Sequence, residues 1–215
     1  MKTMHEGCCP ESVALKIIEL FPRDHGETDP FRVLISTVLS QRTRDENTEA
    51  ASRRLFSKYS TPEQLARRKP AELFDLLRPA GMYRQKASRI IEISKILIKE
   101  YGGIVPSSLD DLLRLPGVGR KTANIVLHVS FGMEAMAVDT HVQRISNRIG
   151  WVDTRNPDAT ETELVKLLPS YLLGPLNGSM VEFGRSICKP IKPLCASCEI
   201  RECCQYFELL VAHQQ

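Results

Sequence analysis

The chain lacks any apolar run near the roughly 20 residues that a membrane-spanning helix needs. Its opening, MKTMHEGCCPES, also lacks the apolar centre of a secretory leader. Strand grammar is scarce, because almost every patterned segment has helical spacing. Charge of one sign is scarce too. A net charge of +3 permits a nucleic-acid partner without arguing for one, so any grip on a polyanion must come from a local patch. The expectation is a cytosolic protein whose seven cysteines serve as thiols or metal ligands rather than disulfides. The 215 residues, 42% of them hydrophobic, suffice for one large domain or two small ones with a real core.

The most informative stretch is LPGVGRKTANIVL, Leu115 to Leu127. Gly117 and Gly119 permit a tight turn, with N–H groups facing outward, before a helix that begins near Arg120. Leu109 to Leu115 reads as a short helix opened by Ser108, with Asp111 three residues on. The unit is therefore helix, glycine hairpin, helix, spanning about 109–131. Free N–H groups at a helix N-terminus form a ready phosphate site, which makes Gly117, Val118 and Gly119 candidate backbone contacts. A plain turn between two core helices would explain the glycines alone. It would not explain Lys121, a cation placed against the helix dipole and near Arg120. That placement favours the neutral amine, the form a lysine needs to attack a sugar aldehyde.

The remaining chain reads as further helices. Glu11 to Phe21 and Asp29 to Ser40 come first, the second with Asp29 and Pro30 as capping grammar and the apolar run Val33 to Leu39. SQRTRDEN, Ser40 to Asn47, is a polar break before a helix to about Lys58. Thr61 opens a short helix, and another runs from Ala71 to Leu77. LRPAGMYRQKA then leads into a long amphipathic helix closed by Gly102 and Gly103, a weaker echo of the later hairpin with Met82 at its tip. Asp139 precedes Thr140 and His141 as a helix N-cap. Asn156 to Leu168 is a helix with Thr160 and Glu163 as box partners. Pro169 to Gly178 reads as a turn-rich connection, and Ser179 to Ile187 as a helix. Last come Cys188, Cys195, Cys198 and Cys204, spaced C-x6-C-x2-C-x5-C. Four thiolates in so short a loop can saturate a tetrahedral metal or a cuboidal cluster. Two prolines between Cys188 and Cys195 hold Lys189 and Lys192 outward, toward phosphates.

LPGVGRKTA followed by VDTHVQR, Val138 to Arg144, resembles the helix-hairpin-helix and catalytic-aspartate segment of the endonuclease III family of DNA glycosylases. The resemblance implies an all-α fold of two helical lobes, with the active site in the cleft between them. One lobe would run continuously over 24–134, and the other would combine 1–23 with 135–215 and the loop 188–204. It implies Lys121 as nucleophile and Asp139 as the carboxylate facing it, while His141 reads as structural or a backbone contact rather than a catalyst. It implies a 4Fe-4S cluster on Cys188, Cys195, Cys198 and Cys204, with Cys204 chosen over Cys203 because Cys204-Gln205-Tyr206 continues the family pattern. Cys8 and Cys9 are then unliganded thiols. Gln41 and Arg42 jointly would fill the gap left by a flipped base, and Met82 would push between bases. The implied function is that of a monomeric bifunctional glycosylase and abasic-site lyase, acting on oxidised pyrimidines in duplex DNA. A mismatch or purine glycosylase of the same superfamily, or a non-catalytic DNA-binding module with zinc, are the alternatives.

Overall fold

The computed structural model describes residues 8–23 and 26–212, so the lobe boundary expected at Asp24 lies outside the described residues. Among them the helices follow in chain order as α1 Pro10–Leu20, α2 Pro30–Ser40, α3 Asp45–Phe56, α4 Pro62–Ala66, α5 Pro70–Leu77 and α6 Tyr83–Tyr101. Then come α7 Leu109–Leu113, α8 Arg120–Phe131, α9 Thr140–Ile149, α10 Pro157–Leu167, α11 Ser170–Ser186 and α12 Gln205–Ala212. No strand occurs among the described residues, and no described helix is long and apolar enough to cross a membrane. The all-helical class expected from the sequence is what the structure contains.

Local chemistry sets most helix ends. Proline fills the first turn of α1, α2, α4, α5 and α10, where its missing N–H leaves no bond unmade. Asp29, Thr61, Ser108 and Asn156 accept hydrogen bonds from backbone N–H groups of the helices they open. The cap of α10 differs from the expected Thr160 and Glu163 pair. Asn156 caps it through Ala159 N, whereas Thr160 bonds Thr154 and Glu163 pairs with Lys166. Left-handed Gly102, Gly132 and Gly150 end α6, α8 and α9.

The chain divides into two units, Met1–Asp24 with Glu134–Gln215, and His25–Met133. In the second, α2 packs on α3, α6 and α8, α6 covers α4 and α5, and α7 lies on α8. Phe31, Val33, Leu34, Ile35, Val38 and Leu39 of α2 are all buried, as expected of a central helix. In the first unit α1 packs on α11, which in turn packs on α9 and α10.

Two expectations fail in the first unit. Ser170–Ser186 is one helix, not a turn followed by a helix, although Pro175 lies inside it. Proline and glycine weaken a helix locally, but burial of Leu172, Leu173, Leu176, Met180 and Phe183 outweighs that cost at about 1.5–3 kcal/mol each. Gly178 accepts the stem of Arg23 so closely that a Cβ there would lie 2.8 Å from its Cγ. The second failure is Cys8, which forms a disulfide with Cys203 rather than remaining a thiol. A separation of 195 residues hides that pairing from any reading of spacing.

The largest fully buried side chains include one cation, Lys86, only 1% exposed. Its ammonium donates at 2.7 Å to Leu39 O, Gln41 O and Thr43 Oγ1. Burial first, and the nearby Arg89 guanidinium second, push the amine down from its ordinary 10.5 to about 8.

Replacing Cys8 with serine opens a very long covalent ring and is expected to cost roughly 2–4 kcal/mol in non-reducing denaturant titrations. An unchanged midpoint would refute the pairing. The unfolded chain binds more protons than the folded one between pH 8 and 10.5 at Lys86, so its contribution to stability rises with pH across that window. Wild type is therefore expected to gain stability relative to Lys86→Met as pH increases from 8 to 10.5.

Candidate functional site

The hairpin lies between α7 and α8. Val118 N bonds Leu115 O, closing the turn, and the buried Val118 anchors it while Gly117 and Gly119 stay exposed. Gly117 has φ +74, a backbone conformation that favours glycine, and the movable end of Arg89 lies where a Cβ would stand. Gly119 differs from expectation. Its φ is −99 and a Cβ would meet nothing within 4 Å, so nothing inside the protein requires it to be bare. No side chain caps α8, which leaves that helix terminus suited to an anion. Lys121 is exposed in the first turn of α8, beside buried Thr122.

The 41–43 loop sits against this hairpin within the same unit. Gln41 Nε2 donates to Gly117 O at 2.9 Å and to Thr122 Oγ1 at 3.4 Å, while its Oε1 accepts from Arg89 at 3.1 Å. Gln41 is thus a bracket between the loop and the hairpin. Arg42 beside it is exposed and left-handed, with φ 51. Met82 is also left-handed, with φ 55, and 46% exposed. Non-glycine residues with positive φ among the described residues are Arg42, Met82 and Lys192, each of them a candidate for contact with DNA. Such backbone costs about 1–3 kcal/mol per residue and tends to collect at functional sites.

Asp139 opens α9 in the other unit. Its Oδ1 accepts from His141 N at 2.8 Å and Val142 N at 2.9 Å, so the capping role is real and holds the carboxylate half-buried at the helix N-terminus. His141 Nδ1 lies 3.2 Å from Arg144, whose guanidinium donates to Gly184 O and Cys188 O. One turn on, Arg148 donates to Lys189 O at 2.7 Å and Pro190 O at 2.9 Å, approaches Cys188 Sγ at 3.4 Å and stacks on Tyr206. The two arginines tie α9 to the cysteine loop and leave Lys189 and Lys192 exposed. Sequence reasoning passed over Lys86, Arg89, Arg144 and Arg148. A signal existed for Lys86, which shares the stripe of Ile90, Ile93 and Leu97 on an otherwise apolar helix face.

Cys188, Cys195, Cys198 and Cys204 line one cavity of about 360 Å³, including its open mouth, with Arg148, Ile200 and Tyr206 around them. Burial pushes the Cys198 thiol up to about 11 and raises Cys195 and Cys204 as well, with neighbouring thiols adding to the effect. Four thiolates there need positive charge beyond Arg148, as an all-sulfur ligand set for a soft metal centre would receive. Among the described residues no three Cys, His, Asp or Glu side chains are grouped to hold a single metal ion. The four thiols nevertheless line the same cavity, which suits a centre held by all of them. Cys203 is spent on the disulfide, leaving Cys204 as the thiol at that end.

Comparison with known proteins accords with this geometry. Residues 35–170 match the model of the HhH-GPD superfamily base excision DNA repair proteins. The chain is 65% identical to Endonuclease III of Thermotoga maritima, with 92% of each chain covered. It is 38% identical to Endonuclease III of Bacillus subtilis, covering 88% of this chain and 89% of that one. Among solved structures it resembles a trapped endonuclease III–DNA covalent intermediate, with TM-score 0.85 and 37% identity over 92% of this chain and 95% of the other. A thermostable thymine-DNA glycosylase superposes with TM-score 0.82 at 28% identity, covering 92% and 94%. The hairpin, the capped aspartate and the four-thiol cavity therefore sit in a chain that belongs to the HhH-GPD superfamily of base excision DNA repair proteins and, within it, to the endonuclease III family.

Proposed function

We infer that this protein is a bifunctional DNA glycosylase and abasic-site lyase that acts on oxidised or ring-saturated pyrimidines in duplex DNA. The observation that carries the reading is Lys121, an exposed amine on the first turn of an uncapped helix whose preceding glycine is bare for no internal reason. A trapped covalent protein–DNA intermediate in a relative of this fold supports it. The hairpin N–H groups of Gly117, Val118 and Gly119 take backbone phosphate, and Lys189 and Lys192 take more. Arg42 and Met82 enter the stack as the damaged nucleotide swings out. Gln41, held by Gly117 and Arg89, positions Arg42 instead of entering the duplex itself.

In the chemistry, Asp139 takes a proton from the Lys121 ammonium. The freed amine forms a bond to C1′ of the deoxyribose while the glycosidic bond breaks, and its electron pair leaves with the base, which is protonated. The sugar ring opens to an imine. Loss of a C2′ proton then expels the 3′ phosphate and nicks the strand, and water releases the lysine. The Asp139 carboxylate offsets positive charge that develops on the sugar as the base departs. Cys188, Cys195, Cys198 and Cys204 would hold a 4Fe-4S cluster, which would supply shape and charge to the basic loop and no bond-making step.

Borohydride trapping on abasic duplex DNA tests the nucleophile, and Lys121→Ala is expected to give no adduct. An adduct at the wild-type level would move the nucleophile elsewhere. Asparagine also caps helices, so Asp139→Asn should keep the fold while slowing base release by roughly 100-fold or more. A normal rate would reduce Asp139 to a cap. For the cluster, the native protein is expected to be brown with visible absorption that is lost in Cys198→Ser. A colourless protein containing zinc would favour the non-catalytic binding reading.

A further inference from the structure

Lys86 is the one lysine or arginine that is buried among the described residues, and the reaction above does not use it. An ammonium has three N–H bonds, and this one has three neutral oxygen partners at 2.7 Å, two backbone carbonyls and the Thr43 hydroxyl. With every proton engaged and no lone pair, it is neither a nucleophile nor an anion site. Its partners are instead the informative part. Leu39 O and Gln41 O lie where α2 ends and its carbonyls run out of helical donors. Thr43 Oγ1 accepts a second hydrogen bond, from Gly81 N at 3.1 Å, and lies 3.3 Å from Gln41 O. Gly81 approaches Arg42 so closely that a Cβ would stand 3.0 Å from Arg42 O. Lys86 N bonds Met82 O as any residue at that place in the first turn of α6 would, so the ammonium reaches the 81–82 segment through Thr43 and Gly81.

Arg42 and Met82, far apart in sequence and both left-handed, thus flank one network built on a buried cation, Arg42 between the two residues Gln41 and Thr43 that the ammonium bonds and Met82 next to the Gly81 that Thr43 holds. We propose that Lys86 is a positioning residue for duplex penetration: its ammonium locks the 41–43 and 81–82 loops together, so that Arg42 and Met82 are presented as one preformed pair of probes. The inference rests on the reading of those two side chains as the ones that enter DNA. Left-handed backbone at non-glycine residues persists only where its surroundings enforce it. A pair already in place loses less freedom on entering the stack than two independent loops would. Without the ammonium, both segments can relax to negative φ and carry their side chains away from each other.

The test compares single-turnover excision of a ring-saturated thymine from duplex DNA with borohydride trapping on a single-stranded abasic oligonucleotide, where there is no stack to penetrate. In Lys86→Met the duplex-to-single-strand ratio is expected to fall tenfold or more. Thr43→Val removes the hydroxyl at constant shape and tests the same network should Lys86→Met not fold, and its ratio is expected to fall at least threefold. In a background carrying Arg42→Ala and Met82→Ala, adding Lys86→Met should change the ratio less than threefold. Equal loss on both substrates, a Thr43→Val ratio at the wild-type value, or an undiminished effect in that background would overturn the proposal and leave Lys86 a packing residue. Duplex excision at the wild-type rate by the Arg42→Ala, Met82→Ala protein would instead refute the penetration reading itself, and the role of Lys86 with it.

Discussion

Backbone carbonyls that leave a helix without a partner need donors, and in this protein long cationic side chains reach in from neighbouring helices to supply them. Lys86 does so for the end of α2, and Arg144 and Arg148 do so for the start of the cysteine loop. The 41–43 loop is too short and polar to fold around apolar contacts of its own, whereas the cysteine loop adds the buried Ile200 to its arginine ties. Fixing a loop with a buried or half-buried charge leaves its outer face bare. A hydrophobic anchor could hold such a loop only by drawing its side chains inward.

The same arrangement puts strain where it can be held. Arg42 and Met82 adopt backbone that their side chains disfavour, and both adjoin residues that the Lys86 ammonium holds, directly or through Thr43. Lys192 does so in the loop whose carbonyls Arg148 grips at residues 189 and 190. Gly117, which could adopt such backbone freely, is also pressed by Arg89. Local conformations that would relax in an isolated peptide are therefore set by charged groups several residues or an entire helix away.

Much of this was legible in the sequence, for a physical reason. Helix starts are written in local chemistry, so Asp29, Ser108 and Asp139 announce α2, α7 and α9 before any tertiary contact is known. Lys121 and the four cysteines stand out because their types and spacing are costly without a purpose. What sequence could not disclose is what depends on packing. Pro175 sits within a helix because five large apolar neighbours around it are buried, and no local rule anticipates that. Gln41 looks as free as Arg42 until the hairpin carbonyl beside it is seen. The partner of Cys8 lies near the other end of the chain.

That last bond changes the topology of the molecule. With Cys8 joined to Cys203, everything from α1 to Cys203 lies on a single closed circuit, and α12 follows outside it. A protease that cuts once inside the circuit linearises it without releasing either fragment. The nicked protein keeps its mass and its two pieces tethered until a reductant opens the ring, so damage to this repair enzyme would surface only under reducing conditions.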